Sequence, residues 1–478
     1  MSVTEQATGP ARRGESLAGE GRWSEAAAAF REAVVLAPDD AVLHNNLAVA
    51  LFQSARLDEA VVAFGRAIEL DPAHLPAHAG LAFALISKGD QAGGIEQFRA
   101  VVRLDPRNVQ ARMALFQLLQ VAQQRDEALA HQLAALEVCR LFTQPCVGGA
   151  PRATILVLKA PGDLQTNIPL DLLFDRAHYT LHDLYFVPGH AAPAQGELPP
   201  YDVVFNAISE SERALPALAA AETFIAAQSK PALNDPARVA RLSRDGAARL
   251  FADIPGCHFP PTARLTRTEL LAASSPLDAL RSRGMALPVV IRPIESHAGV
   301  DLARIETAGE LADYLARVEP PGYYVAPFVD YRSPDGFYRK YRVMFVDGVP
   351  YPCHLAISER WMIHYLNADT PNFVWMRAEE ERFLADLSNV FTGAAVDALR
   401  AIAGRCGLDY AGMDCTLDAE GRVLVFEIDA AMLVHLWDPI ELYPYKHRYV
   451  PRIFRAVEAL IDRRIGRPAS PGGAVADG

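Results

Sequence analysis

The chain has 478 residues, 51% hydrophobic and 22% charged, which is too long for one core and ordinary for globular domains. Its net charge of −12 argues against a nucleic-acid partner, which needs a basic face, while local Arg and Lys can still hold an anionic nucleotide. The six cysteines (Cys139, Cys146, Cys257, Cys353, Cys406, Cys415) form no CxxC pair and read as reduced thiols in a reducing compartment. Met1 to Gly21 has no apolar run after its charges, and no stretch approaches about 18 uninterrupted apolar residues. Neither a secretory leader nor a membrane span is therefore expected, and the expected location is cytoplasmic.

The first third repeats at an offset of 34 residues. Trp23-Ser24-Glu25-Ala26, Leu57-Asp58-Glu59-Ala60 and Arg125-Asp126-Glu127-Ala128 fall in register, as do Phe30, Phe64 and Phe98, and Pro38, Pro72 and Pro106. Each proline ends a helix-like run, because it lacks a donor and clashes with the preceding turn. Between prolines lie two helix-length patterns, such as Leu43–Phe52 and Glu59–Leu70. A helix pair at this period resembles the tetratricopeptide repeat, with Ala26, Ala60 and Ala128 where two helices cross closely. Three good repeats and a degenerate fourth are expected, and Gly93-Gly94 should weaken the second helix of the third. Such arrays present a surface to a peptide or partner protein; a spacer or dimerisation module is the alternative. The helical period stops at Thr143–Ala150, which contains Pro145, Gly148 and Gly149.

Ala153–Ala160 is an apolar run ending in Pro161-Gly162, and Leu184–Val187 and Tyr201–Ile208 are similar. Strands alternating with possible helices predict an open α/β unit. Next come Pro231 to Pro236, a helix-like segment with Arg244 and Arg249, and Pro260-Pro261-Thr262.

Pro288–Pro293 (PVVIRP) is a β-branched strand ending in Arg292, followed by Glu295-Ser296-His297-Ala298-Gly299-Val300. A fixed cation before small residues suits a phosphate chain, which backbone N–H groups can then approach. Tyr323–Phe328 (YYVAPF) is another strand, leading to Asp330. Phe337–Ile357 predicts a hairpin of Tyr338–Val346 and Val349–Ile357 turning at Asp347-Gly348. Side-chain alternation puts Lys340 and Arg342 on one face, where they repel unless an anion lies between them. His354, Trp361 and His364 lie just beyond.

Asp414 lies in Tyr410–Cys415, and Val423–Phe426 returns as a strand into Glu427-Ile428-Asp429. Antiparallel pairing sets Asp414 beside Glu427, with Asp429 on the same face two residues on. Three acids on an apolar sheet repel unless compensated, and a hard cation such as Mg²⁺ with oxygen ligands removes that cost.

The order of these elements over about 150–465 resembles the ATP-grasp ligases. The resemblance implies an α/β pre-ATP-grasp half domain over 150–262 and an α+β ATP-grasp fold over 263–465, after the all-α tetratricopeptide-type solenoid expected over 14–142 and before a disordered tail expected over 466–478. It implies ATP and Mg²⁺, with Asp414, Glu427 and Asp429 on the metal and Arg244, Arg292, Ser296, His297 and Gly299 toward the phosphates. Ala326 and Phe328 would meet the adenine edge, where Pro327 offers no N–H, and Asp330 the ribose. Arg342 and Lys340 would stabilise the transferred charge, and His354, His364 and Trp361 would line an acceptor pocket. The family usually carries lysine where Arg292 stands and asparagine where Asp429 stands. The implied reaction activates a carboxylate as an acyl phosphate that an amine or thiol captures. A nucleotide-binding scaffold without activity and a kinase of the same fold are the competing readings.

Overall fold

Proline-punctuated apolar segments fold as four antiparallel helix pairs: α1 (Val3–Gly19) with α2 (Trp23–Leu36), α3 (Ala41–Gln53) with α4 (Leu57–Leu70), α5 (Leu75–Ser87) with α6 (Gln91–Leu104), and α7 (Val109–Val121) with α8 (Arg125–Leu136). The computed structural model describes residues 3–163, 165–272, 275–294, 296, 299–363 and 368–468, so most of the expected tail lies outside the described residues. The chain divides into two units, Met1–Arg140 and Leu141–Gly478.

In the first unit Ala26, Ala60 and Ala128 are fully buried, as are Phe30, Phe64 and Phe98. Small residues let helices approach until the aromatic rings fill the remaining space. A Cβ added to Gly80 would lie 2.3 Å from the Phe64 ring, so this glycine is the socket for that phenylalanine. A polar tie recurs too. His44 Nε2 lies 2.8 Å from the Pro38 carbonyl, His78 Nε2 3.1 Å from that of Pro72, and Arg112 Nε donates to that of Pro106 at 2.7 Å. A carbonyl only accepts, so both histidines carry their proton on Nε2.

The helix that packs against α2 begins at Val3. Gly93-Gly94 does not interrupt α6, because it lies in the first turn, where Asp90 caps the helix by accepting from Gly93 N–H at 2.8 Å. A Cβ on Gly94 would press on Ile86 at 2.5 Å, so this glycine permits close packing.

The second unit opens with a five-stranded sheet of β1 (Leu141–Gln144), β2 (Ala153–Lys159), β3 (Tyr179–Tyr185), β4 (Val203–Asn206) and β5 (Ala232–Leu233), in the order β1-β3-β2-β4-β5. All neighbours are parallel except the edge pair β1/β3. The apolar run of β2 is buried at Ile155 to Leu158 because a parallel sheet is covered on both faces. This sheet takes in Leu141, before the expected boundary at 150.

A short strand β6 (Cys257–His258) precedes an antiparallel four-stranded sheet of β7 (Ala263–Thr266), β8 (Val289–Pro293), β9 (Ala303–Ile305) and β10 (Gly322–Pro327), ordered β7-β10-β8-β9. It has its own core of Leu265, Val289, Ile291, Leu311, Tyr314, Tyr323 and Val325. The last sheet contains β11 (Tyr338–Val346), β12 (Val349–Ser358), β13 (Tyr410–Leu417) and β14 (Val423–Asp429), ordered β12-β11-β13-β14-β6. β6 pairs parallel with β14, so a strand placed before residue 263 belongs to the C-terminal sheet. The first and last sheets share one continuous core. No helix among the described residues is long and apolar enough to cross a membrane.

Candidate functional site: a row of charged side chains across three strands

The β11–β12 hairpin turns at Asp347-Gly348, both with positive φ (52° and 77°), the geometry whose twist matches paired strands. This fixes the register, and β11 then pairs with β13 so that Arg342 lies opposite Asp414. Across the next ladder Asp414 lies opposite Glu427, and Gly412 opposite Asp429. A Cβ on Gly412 would lie 2.4 Å from Met432 and 2.9 Å from the Met344 sulfur, so glycine here lets the methionines pack against the strand opposite Asp429.

Basic groups meet these acids. Arg342 donates Nε to Asp414 Oδ1 at 2.8 Å and Nη2 to Oδ2 at 3.1 Å, while Lys340 Nζ lies 3.0 Å from Oδ2. Arg244, at the start of the helix Arg244–Phe251, pairs with Glu427 and reaches the Phe426 carbonyl at 3.4 Å. Arg292, buried at the end of β8, donates Nε to Ser296 Oγ at 3.0 Å and Nη2 to the Ser296 carbonyl. Asp429 accepts from Ala431 N–H at 2.6 Å. Among the described residues it is the one acid of the row without a basic side chain in ion-pair reach.

The electrostatics follow. Burial opposes ionisation of Asp414, but Arg342 and Lys340 outweigh it and hold the carboxyl well below its ordinary value. Glu427 is likewise held low, Arg244 overcoming burial. Burial pushes Asp429 up to about 6, the Ala431 N–H opposing and the Glu427 charge adding to the rise. Arg292 is lowered to about 9 by burial and then by the like charge of Arg244.

The acids therefore share a row without converging. Among the described residues no three His, Cys, Asp or Glu side chains are gathered closely enough to hold a metal ion. Burial demands compensation, and in this state Arg342, Lys340 and Arg244 supply it to Asp414 and Glu427. Glu427 and Asp429 stand two residues apart on one strand, and their oxygens are the donor type a hard cation takes.

Glu427 and Asp429 open onto a cleft lined also by Arg244, Ser296, Tyr324 and the Ser209–Glu212 loop after β4. Tyr324 donates its hydroxyl to Glu212, whose carboxylate also takes Arg264 Nη2 at 2.7 Å. Glu212 and Tyr324 are 112 residues apart, so no local pattern in the sequence points to the pair.

Other expected positions lie elsewhere. His297 is outside the described residues, as is His364. Gly299 is in a turn with φ 71° and accepts from Leu302 N–H at 3.1 Å. Ala326 lies opposite Val290 on the β8–β10 ladder. The Phe328 N–H donates to the Pro288 carbonyl at 3.0 Å, so it is not free to meet an adenine edge, because β10 spends it on the neighbouring segment. Asp330 is exposed, accepting from Arg332 N–H at 3.0 Å. His354 does not line an open pocket. It is paired through Nδ1 to fully buried Glu380 at 2.5 Å, beside Lys446 and Tyr445.

The tetratricopeptide-repeat family model matches residues 41–74, the stretch that holds α3 and α4. No curated protein matches the chain. Among solved structures, the crystal structure of MamA is 23% identical, covering 28% of this chain and 77% of that chain at a TM-score of 0.27. A MamA fragment from Desulfovibrio magneticus is 20% identical, covering 28% of this chain and 75% of that one at 0.27. The second TPR domain of human RPAP3, solved in complex with an HSP70 peptide, is 26% identical, covering 24% of this chain and 97% of that one at 0.24. The helical N-terminal unit contains tetratricopeptide repeats, and a mixed α/β region follows it.

Proposed function

We propose that the second unit is an ATP- and Mg²⁺-dependent ligase of the ATP-grasp type, joining a carboxylate to an amine or thiol, and that the repeats hold a peptide or protein partner. The observation that carries this reading is the cross-strand row Arg342–Asp414–Glu427, backed by Lys340, Arg244 and Arg292. Lys340, Arg342 and Arg244 pair with two of the three carboxylates and Arg292 pairs with none of them, so cationic groups are at hand for a polyphosphate.

In this reading Arg292 and Arg244 take phosphate oxygens, releasing Glu427. Ser296, already on the Arg292 guanidinium, brings its loop to the same charge. Asp414, Glu427 and Asp429 would hold Mg²⁺, which when bound neutralises triphosphate charge. Arg342 and Lys340 stabilise the phosphoryl group as the substrate carboxylate attacks the γ-phosphorus and ADP leaves. The acyl phosphate is then opened by the amine or thiol, releasing phosphate. Positioning and charge neutralisation supply the rate.

The test is hydroxamate formation by the full chain with ATP, Mg²⁺, hydroxylamine and a panel of carboxylic acids. A ligase gives a hydroxamate with ADP, and Glu427→Ala abolishes both. ADP without hydroxamate would mean a kinase, and neither product would leave a scaffold. Repeats of this type present a concave surface, so residues 1–140 are expected to carry the partner's affinity by themselves.

A further inference from the structure

A second opening lies away from the acid row and is lined by Arg304, Arg332, Tyr338, Glu359, Arg360, Trp361 and Met362. Its three guanidinium groups come from β9, the segment after β10 and the segment after β12, so folding rather than a local charge run brings them together. Each has spare capacity. Arg304 is paired with Glu306 at 2.8 Å, but its Nε is buried without a hydrogen-bond partner. Arg332 spends Nε and Nη2 on the Tyr338 hydroxyl at 3.0 and 2.8 Å, and stands 3.7 Å from Asp330. Among the described residues no acid lies within ion-pair distance of the Arg360 guanidinium. Glu306 and Asp330 are both more than half exposed, so a ligand anion displaces such pairs at little cost.

The rest of the lining is two aromatic residues, Tyr338 and Trp361, with Met362 and one acid, Glu359. The Arg304 guanidinium sits 4.0 Å over the Phe328 ring, and Trp361 meets that ring edge-on at 5.6 Å. Tyr338 packs against Tyr331 at 4.9 Å. Trp361 and Tyr338 beside these guanidinium groups suit a planar ring that bears an anion, because ring contact and bidentate hydrogen bonding then act together.

We infer that this opening is a binding site for a small aromatic anion, a ring carrying a carboxylate or a phosphate, separate from the acid-row cleft. The site stands on its own residues, whether or not the acid row is catalytic. Calorimetric titration of the full chain with phthalate and with phenyl phosphate tests it and separates the two anion types. At least one probe is expected to bind, with inorganic phosphate about tenfold weaker or worse. Arg360→Gln and Arg304→Gln are each expected to weaken the bound probe by about tenfold, from loss of a charge-assisted hydrogen bond, while Arg244→Gln leaves it unchanged. Matched thermal melts of the variants establish that they fold. No heat from either probe, equal binding of inorganic phosphate, or loss of binding in Arg244→Gln but not in Arg360→Gln would each overturn the assignment.

Discussion

Asp414 is 2% exposed, and its charge persists only because Arg342 grips both oxygens while Lys340 touches one. Removing the grip leaves a buried acid with one partner. Arg342→Met should therefore cost about 3 kcal/mol in urea unfolding, and Asp414→Asn in the same background should restore part of it. Glu380 makes a second case, buried behind β12. Burial pushes its carboxyl up, but His354, Lys446 and Tyr445 outweigh this and hold it at about 2, against 4.5 for the free group. A depressed acid stabilises the fold fully above its unfolded value and loses that contribution as pH falls through its folded value. About 3 kcal/mol should thus disappear between pH 4.5 and about 2. Denaturation measured across this window should show a shallower pH slope in Glu380→Gln.

At the scale of elements, repetition and alternation were the legible signals. The hairpin from Tyr338 ends within a residue of its expected strands because Asp347-Gly348 is local chemistry. The pairing of Asp414 with Glu427 followed from period two and one short turn. Pairings made over long separations were not legible: β6 joining β14, Tyr324 reaching Glu212, and Phe328 giving its N–H to Pro288. Glycine in a helix illustrates the same divide. Gly65 in α4 would meet nothing with an added Cβ, whereas Gly80 in α5 would press on Phe64. Gly65→Ala should raise stability by about 0.5–1 kcal/mol through helix propensity, and Gly80→Ala should lower it by about 1–3 kcal/mol through overpacking. Thermal melts of the two variants check the contrast.

At the scale of the molecule, the two units have separate hydrophobic cores. Separate cores unfold separately, so chemical denaturation followed by circular dichroism should show two transitions, and residues 1–140 alone should reproduce one of them. A single transition with an unfolded fragment would contradict this. For the second unit, we propose that its row of acids and cations receives ATP. Titration of the full chain with ATP in the presence and absence of Mg²⁺ tests it most directly. Mg²⁺-dependent binding is expected with a Kd below about 1 mM, the usual ceiling for an enzyme's substrate, weakened about tenfold or more in both Arg292→Gln and Glu427→Gln. Absence of binding, or binding indifferent to both substitutions, would contradict it.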